Sequence, residues 1–159
     1  MNQQKLSNWL KGILIGIGLC GLIVYFAALP VYGRDLCARY PEFASRYWPW
    51  QIFLWLTAVP CYATLAAGWR IAVNIGKDRS FTEENARLLQ RVAWFAAGDT
   101  VFFFLGNVVL LFLNMSHPGV LLMSLFICFV GVASTVVLAV LSHLVWKAAM
   151  LREENEEII

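Results

Sequence analysis

The chain has 159 residues, of which 60% are hydrophobic and only 14% are charged, and its formal net charge is +2. This balance excludes an ordinary soluble domain, in which about a quarter of the residues are charged. Such a small net charge also argues against direct nucleic-acid binding, because a surface that neutralises phosphates needs a concentrated basic patch.

Four apolar runs are each long enough to cross a bilayer, which requires about 20 mostly apolar residues. They are residues 12–32, 51–71, 92–113 and 120–146. The rest of the chain supplies a polar loop over 74–91 and an acidic tail over 150–159. We therefore predict an all-α fold, an integral membrane four-helix bundle, with residues 1–159 in a single membrane domain.

The basic residues indicate how the spans are oriented. A topology with both termini inside places nine of the 12 Lys and Arg residues in the cytoplasm, namely Lys5, Lys11, Arg70, Lys77, Arg79, Arg87, Arg91, Lys147 and Arg152. Only Arg34, Arg39 and Arg46 remain outside. The positive-inside rule therefore predicts that both termini and the 74–91 loop are cytoplasmic.

Small residues on the spans predict close helix packing. Gly12 and Gly16 make a GxxxG pair, whereas Gly18, Gly21 and Tyr25 lie on another side of the first helix. Tyr25 and Tyr32 are also candidates for lining a cavity. A stripe of small and weakly polar residues runs along the second helix, formed by Thr57, Cys61, Thr64 and Gly68. A matching stripe on the fourth helix contains Ser124, Cys128, Gly131, Thr135 and Ser142.

The polar loop contains the start of the third helix. Ser80 with Glu83 makes a capping box, and Thr82 is the alternative N-cap, followed by Glu83 and Glu84 in the first turn. Phe81 stands between the two hydroxyl residues, where it would fix the angle at which the chain enters the helix. The helix is predicted to begin in the cytoplasm and to continue into the third span.

The stretch GKDRSFTEENARLL, between the second and third of four spans, resembles the signature of a bacterial membrane family, domain-of-unknown-function family 2975. Within this stretch the family motif corresponds to Gly76, Phe81, Thr82, Glu84 and Asn85. With Arg87, these positions are the candidate partner-binding site. The resemblance implies a protein of the inner membrane without established enzymatic activity, often encoded beside a small helix-turn-helix regulator.

Asp99 is the ionisable residue that lies deepest in a span, where an acidic side chain is costly unless it is paired or hydrated. It lies about 10 Å from the start of its span, and His143 lies about 6 Å from the end of its own. Because the third and fourth helices are antiparallel with a short connection, Asp99 and His143 can lie at similar depth, and a hydrogen-bonded pair between them is geometrically possible. Arg70 is the competing partner, and Asn107 lies on the same stripe as Asp99.

No catalytic motif, metal-ligand spacing or cofactor-binding motif is found, so we predict neither an enzyme nor a cofactor. The favoured function is a membrane sensor or anchor that binds and regulates a helix-turn-helix transcription factor. The alternative is a small transporter, or a module that binds a lipid or another ligand, built around Asp99. The expected partners are the lipid bilayer, the regulator and, as a further candidate, a second copy of the chain.

Overall fold

The computed structural model describes residues 2–157. The first helical segment comprises helix α1 (Gln3–Ile23), a π-helical segment (Val24–Ala28) and helix α2 (Leu29–Arg39). In the π-helical segment the amide of Leu29 donates to the carbonyl of Val24, five residues back. Pro30, at the start of α2, has no amide proton to continue the regular ladder, and a π-bulge is a common way to accommodate such a break.

Three further long helices follow a short 3₁₀ turn (Pro41–Arg46): α3 (Tyr47–Gly76), α4 (Glu83–Phe112) and α5 (Pro118–Glu157). Four helical stretches are long and apolar enough to cross a membrane: Gln3–Arg39, Pro41–Gly76, Glu83–Phe112 and Pro118–Asn155. The prediction of an all-α protein with four membrane-length helices is confirmed. Part of the predicted 150–159 tail belongs to α5, and residues 158–159 lie outside the described part.

Two residues with left-handed backbone conformation lie where helices end. Asp78 has φ 58° in the turn after α3, and Asn114 has φ 56° in the turn after α4. Asp and Asn tolerate this conformation better than other non-glycine residues, because their short polar side chains bond locally. Both turns are short, so α3, α4 and α5 run antiparallel to their neighbours.

Hydrogen bonds between helices define two ends of the molecule. Ser7 Oγ of α1 donates to the carbonyl of Ala72 in α3 at 2.6 Å, and Ser142 Oγ of α5 donates to the carbonyl of Ala86 in α4 at 2.8 Å. The amino end of α1, the carboxyl end of α5 and the 77–82 turn therefore lie at one end, which we call the terminal side. At the opposite side, the indole of Trp50 donates to the carbonyl of Met115 at 2.7 Å.

The four long helices pack in the order in which they occur in the chain. α1 packs against α3, α3 against α4, and α4 against α5. Among residues 2–157, α1 does not approach α4 or α5, and α3 and α5 are not backbone neighbours. This finding refines the predicted four-helix arrangement, because the helices form a row in which α1 and α5 are the two edges.

Mostly small residues recur at a seven-residue spacing where α4 and α5 pack, the repeat that keeps one face of a helix against its partner. On α4 the repeat is Ala86, Ala93, Thr100 and Asn107, and on α5 it is Leu121, Cys128, Thr135 and Ser142. Two facing pairs fix the register. Ser142 bonds to Ala86, and Cys128 Sγ lies 4.0 Å from the carbonyl oxygen of Thr100.

Candidate functional site

The turn between α3 and α4 is capped by Thr82. The backbone of Thr82 is extended (φ −133°, ψ 154°), and its hydroxyl accepts from the amide of Asn85 at 3.3 Å. Of the two capping schemes that the sequence allows, the structure therefore uses Thr82. Glu83 and Glu84 occupy the first turn of α4, where the helix dipole favours negative charge.

Asn85 links both sides of the turn and is only 2% exposed. Its Oδ1 accepts from Nδ2 of Asn74, near the end of α3, at 2.8 Å. Its own Nδ2 donates to the carbonyls of Arg79 and Ser80, both at 3.0 Å. One amide side chain therefore holds the end of α3, the turn and the start of α4 together.

Gly76 is a site of close packing with α1. A Cβ atom at this position would lie 2.8 Å from Ser7 Oγ and 3.1 Å from Ser7 Cβ. Both distances are too short for unstrained contact, so only glycine lets the start of α1 approach the end of α3 this closely. Gly76 and the buried Ser7 together dock α1 beside the turn.

The six residues of the candidate partner-binding site therefore divide into two groups. Gly76, Thr82 and Asn85 are used inside the fold. Phe81, Glu84 and Arg87 are exposed, and we call these three the turn surface. Arg87 Nη2 forms an ion pair with Glu83 Oε1 at 2.6 Å, one helical turn earlier.

An intramembrane polar chain connects Asp99 to the two helices that precede α4. Asp99 Oδ2 accepts from Cys61 Sγ at 3.8 Å, and Cys61 Sγ lies 3.9 Å from the hydroxyl of Tyr25. The Tyr25 hydroxyl is 3.2 Å from Thr57 Oγ1, which donates its own proton to the carbonyl of Leu54. Tyr25 is therefore the donor to Thr57, and the polar chain crosses from the π-helical segment through α3 to α4.

The second carboxyl oxygen of Asp99 has no partner. Oδ1 is buried and forms no hydrogen bond to the described residues. A carboxyl oxygen in this position can accept a proton donor, contact a cation or bind the polar group of a small molecule. Among the described residues, Gln51 Nε2, Asn107 Oδ1 and Ser116 Oγ are also buried without a hydrogen-bond partner, and Asp99 Oδ1 is the ionisable group of this set.

The predicted pairing of Asp99 with His143 is wrong. Because Thr100 faces Cys128, Asp99 is level with Phe129, and His143 lies 14 residues further along α5, about 21 Å at 1.5 Å per residue. His143 instead stacks on Trp146, with ring centroids 6.2 Å apart. The prediction failed because it took the ends of the two apolar runs as level, whereas α5 extends beyond the start of α4.

Arg70 does not pair with Asp99 either. It lies nine residues beyond Cys61 on α3, about 13 Å towards the terminal side. There it lines a cleft that also contains Arg87 and Arg91.

Asn107 is separate from Asp99 as well. Its side chain is 1% exposed and lies on the α4 repeat that faces α5, with Nδ2 donating to the carbonyl of Phe103 at 2.8 Å. Asp99, His143, Arg70 and Asn107 therefore do not form one site. Asp99 instead contacts Cys61, and Cys61 contacts Tyr25. The sequence analysis assigned Cys61 and Tyr25 to helix faces but did not predict that either residue lies near Asp99.

The described part of the chain offers neither a metal site nor a disulfide. Within residues 2–157, no three His, Cys, Asp or Glu side chains come together in a way that could hold a metal ion. The four cysteines have free thiols, and Cys37 Sγ donates to the carbonyl of Phe43 at 3.6 Å. The turn surface and the intramembrane polar chain are therefore the two candidate functional sites.

Comparison with known proteins agrees with the four-span architecture. A family model described as "Protein of unknown function (DUF2975)" matches residues 31–159. The chain is 26% identical to the "Uncharacterized membrane protein YoaS" of Bacillus subtilis (strain 168), over 91% of this chain and 90% of the relative. No solved structure matches it. The chain is a multi-pass membrane protein that belongs to the DUF2975 family of proteins of unknown function.

Proposed function

We propose that this chain is a membrane-embedded sensor or anchor that binds and regulates a cytoplasmic helix-turn-helix transcription factor through the turn surface. The observation that carries the proposal is Phe81, whose side chain is 54% exposed although the turn around it is held by Asn85. An exposed aromatic side chain on an ordered turn is the kind of residue that contributes most to protein–protein binding, because it buries a large area at a low entropic cost.

The turn surface also carries charged side chains close to Phe81 in the sequence. Glu84 has no ion pair among the described residues, and it lies beside the Glu83–Arg87 pair at the start of α4. A partner that contacts the aromatic ring of Phe81 can therefore also contact an acidic group, Glu84, and a basic group, Arg87. Such polar groups at the rim of an interface contribute mainly to specificity and to the rate of association.

The location of the turn surface supports an intracellular partner. It lies on the terminal side, and nine of the 12 Lys and Arg residues belong to the loop and terminal segments of that side. The positive-inside rule assigns such a side to the cytoplasm. Because the net charge of the chain is small, we expect the regulator, and not this chain, to bind DNA. A helix-turn-helix regulator is the class of partner that the family resemblance implies.

Replacing Phe81 with alanine tests this proposal. We expect Phe81→Ala to weaken capture of a helix-turn-helix regulator by about tenfold or more, because removing a buried aromatic anchor typically costs 2 kcal/mol or more, which is about thirtyfold in affinity. The measurement is purification of the tagged full-length chain from native membranes, with quantification of the regulator by mass spectrometry.

Tyr40→Ala is the matched control, because Tyr40 is an equally exposed aromatic residue on the opposite side of the membrane. Capture should persist with this variant. If no helix-turn-helix protein is captured by the unmodified chain, or if both variants retain it equally, the turn surface is not a binding site for such a regulator.

The unpartnered oxygen of Asp99 favours a second candidate function, transport or binding of a proton, a cation or a small polar ligand through the intramembrane polar chain. In proteoliposomes containing a pH-sensitive dye, we expect Asp99→Asn to reduce proton movement by about tenfold or more, the scale of losing a group that transfers a proton. Asp78→Asn makes the same chemical change in the turn and should have no effect. Equal proton movement in the Asp99→Asn variant and the unmodified chain would count against proton transport.

A further inference from the structure

A basic cleft lies between α3 and α4 on the terminal side. Its volume is about 360 Å³, and it is lined by Arg70, Glu83, Glu84, Arg87, Leu88 and Arg91. The three arginines approach it from two helices, Arg70 from α3 and the other two from α4. The fold therefore brings together basic side chains that are far apart in the sequence.

Two of the arginines are available to a ligand. Arg87 is paired with Glu83, whereas Arg70 and Arg91 form no side-chain hydrogen bond or ion pair with residues 2–157. Glu84 is the remaining acidic residue of the lining, so the cleft carries an excess of positive charge. A guanidinium group offers two parallel donors that match the oxygens of a phosphate group.

Tryptophans place the cleft at the level of lipid headgroups. Trp69 precedes Arg70, is 39% exposed and lies under Lys11, whose Nζ is 5.7 Å from the ring centroid. Trp94 follows Arg91 by three residues and is 71% exposed. Tryptophan is enriched at the membrane–water interface, where one part of its ring is in contact with lipid and the other with water.

An apolar surface continues from the cleft into the membrane. Trp94, Gly98, Val101 and Leu105 follow Arg91 at intervals of three or four residues, so they lie along one face of α4. Nothing lies within 4 Å of the position where Gly98 would carry a Cβ atom. The row-like packing leaves this face of α4 uncovered, with space for an acyl chain directly below the arginines.

We propose that this cleft binds a phosphate-bearing anion, namely the headgroup of an anionic lipid, with Arg70 and Arg91 on the phosphate and an acyl chain along Trp94 and Gly98. Basic pockets between membrane helices are a recurrent way of binding such headgroups. The cleft shares Glu84 and Arg87 with the turn surface, but the two proposals are tested separately, because lipid binding is tested at Arg70 and Arg91 and regulator binding at Phe81.

The test is a titration of the purified full-length chain in detergent with phosphatidylglycerol, followed by native mass spectrometry. The double variant with Arg70→Gln and Arg91→Gln should bind phosphatidylglycerol about tenfold or more weakly, the scale of losing charge-assisted hydrogen bonds. The matched control combines Lys77→Gln with Arg79→Gln, which removes the same charge from the exposed turn on the same side. It should leave binding nearly unchanged, and the unmodified chain should bind phosphatidylcholine more weakly than phosphatidylglycerol, because the choline cation offsets the charge of the phosphate.

A parallel titration with inorganic phosphate distinguishes the source of the anion. Phosphate that does not displace phosphatidylglycerol from the unmodified chain supports a lipid site, whereas displacement by a comparable concentration of phosphate identifies a site for a free phosphate group and overturns the lipid assignment. If the variant with Arg70→Gln and Arg91→Gln fails to fold, Arg70→Lys with Arg91→Lys replaces it in the test. Lysine keeps the charge but lacks the planar fork, so this variant should bind phosphatidylglycerol with intermediate affinity. The proposal is overturned if the Lys77→Gln, Arg79→Gln control weakens phosphatidylglycerol binding as much as the Arg70→Gln, Arg91→Gln variant does. It is also overturned if the latter variant does not weaken binding.

Discussion

Gly131→Val is expected to lower the free energy of unfolding in detergent by about 3 kcal/mol, the upper range for inserting extra methyl groups into a packed interface. Gly131 of α5 packs against Thr100 of α4. A Cβ atom at this position would overlap Thr100 Oγ1 and would lie 3.2 Å from Thr100 Cβ. Thr100 cannot easily rotate away, because its hydroxyl donates to the carbonyl of Ala96 at 2.7 Å. Denaturant titration followed by circular dichroism measures the effect.

Two further variants separate steric overlap from a general intolerance of valine. Gly98→Val should have little effect on unfolding, because nothing lies within 4 Å of the corresponding Cβ position. Adding Thr100→Ala to Gly131→Val removes the groups that overlap and should restore about half of the lost stability, since residues in direct contact are not additive. Equal losses at Gly131 and Gly98 would show that α4 and α5 do not pack at the register described above.

The local features of this fold are accessible from the sequence. The four apolar runs indicate the number of long helices, and the hydroxyl and acidic residues around Thr82 indicate where α4 begins, because hydropathy and helix capping depend on neighbours along the chain. The sequence alone left Ser80 and Thr82 as alternative caps. The structure distinguishes them through Asn85, whose burial depends on contacts with α3.

The relations between helices are not accessible in the same way. Neither Cys61 nor Tyr25 carries a sequence signal that links it to Asp99, because that link depends on α3 packing between α1 and α4. The pairing of Asp99 with His143 failed for a related reason, since an apolar run does not show how far a helix extends beyond the membrane.

The two candidate sites lie on helices that are in contact, which gives a physical basis for a sensor. Asp99 and Asn85 are both on α4, 14 residues or about 21 Å apart along one continuous helix. α3 contributes Cys61 to the first site and Asn74 to the second. A ligand that changes how α3 and α4 pack at Asp99 would therefore also act on the hydrogen bonds that hold the turn surface in place.

Asn85→Ala is expected to lower the free energy of unfolding by about 3 kcal/mol and to loosen the turn surface. The variant loses three hydrogen bonds at about 1 kcal/mol each and leaves Asn74 Nδ2 and the carbonyls of Arg79 and Ser80 without their partner. Asn74→Ala removes only one of these bonds and should cost about 1 kcal/mol, and Gln90→Ala, at an exposed position of α4, should cost little.

Hydrogen exchange should increase at residues 77–85 in Asn85→Ala while it stays unchanged at the α4–α5 interface. A loss no larger than that of Gln90→Ala would show that contacts other than those of Asn85 order the turn and hold Phe81 in place.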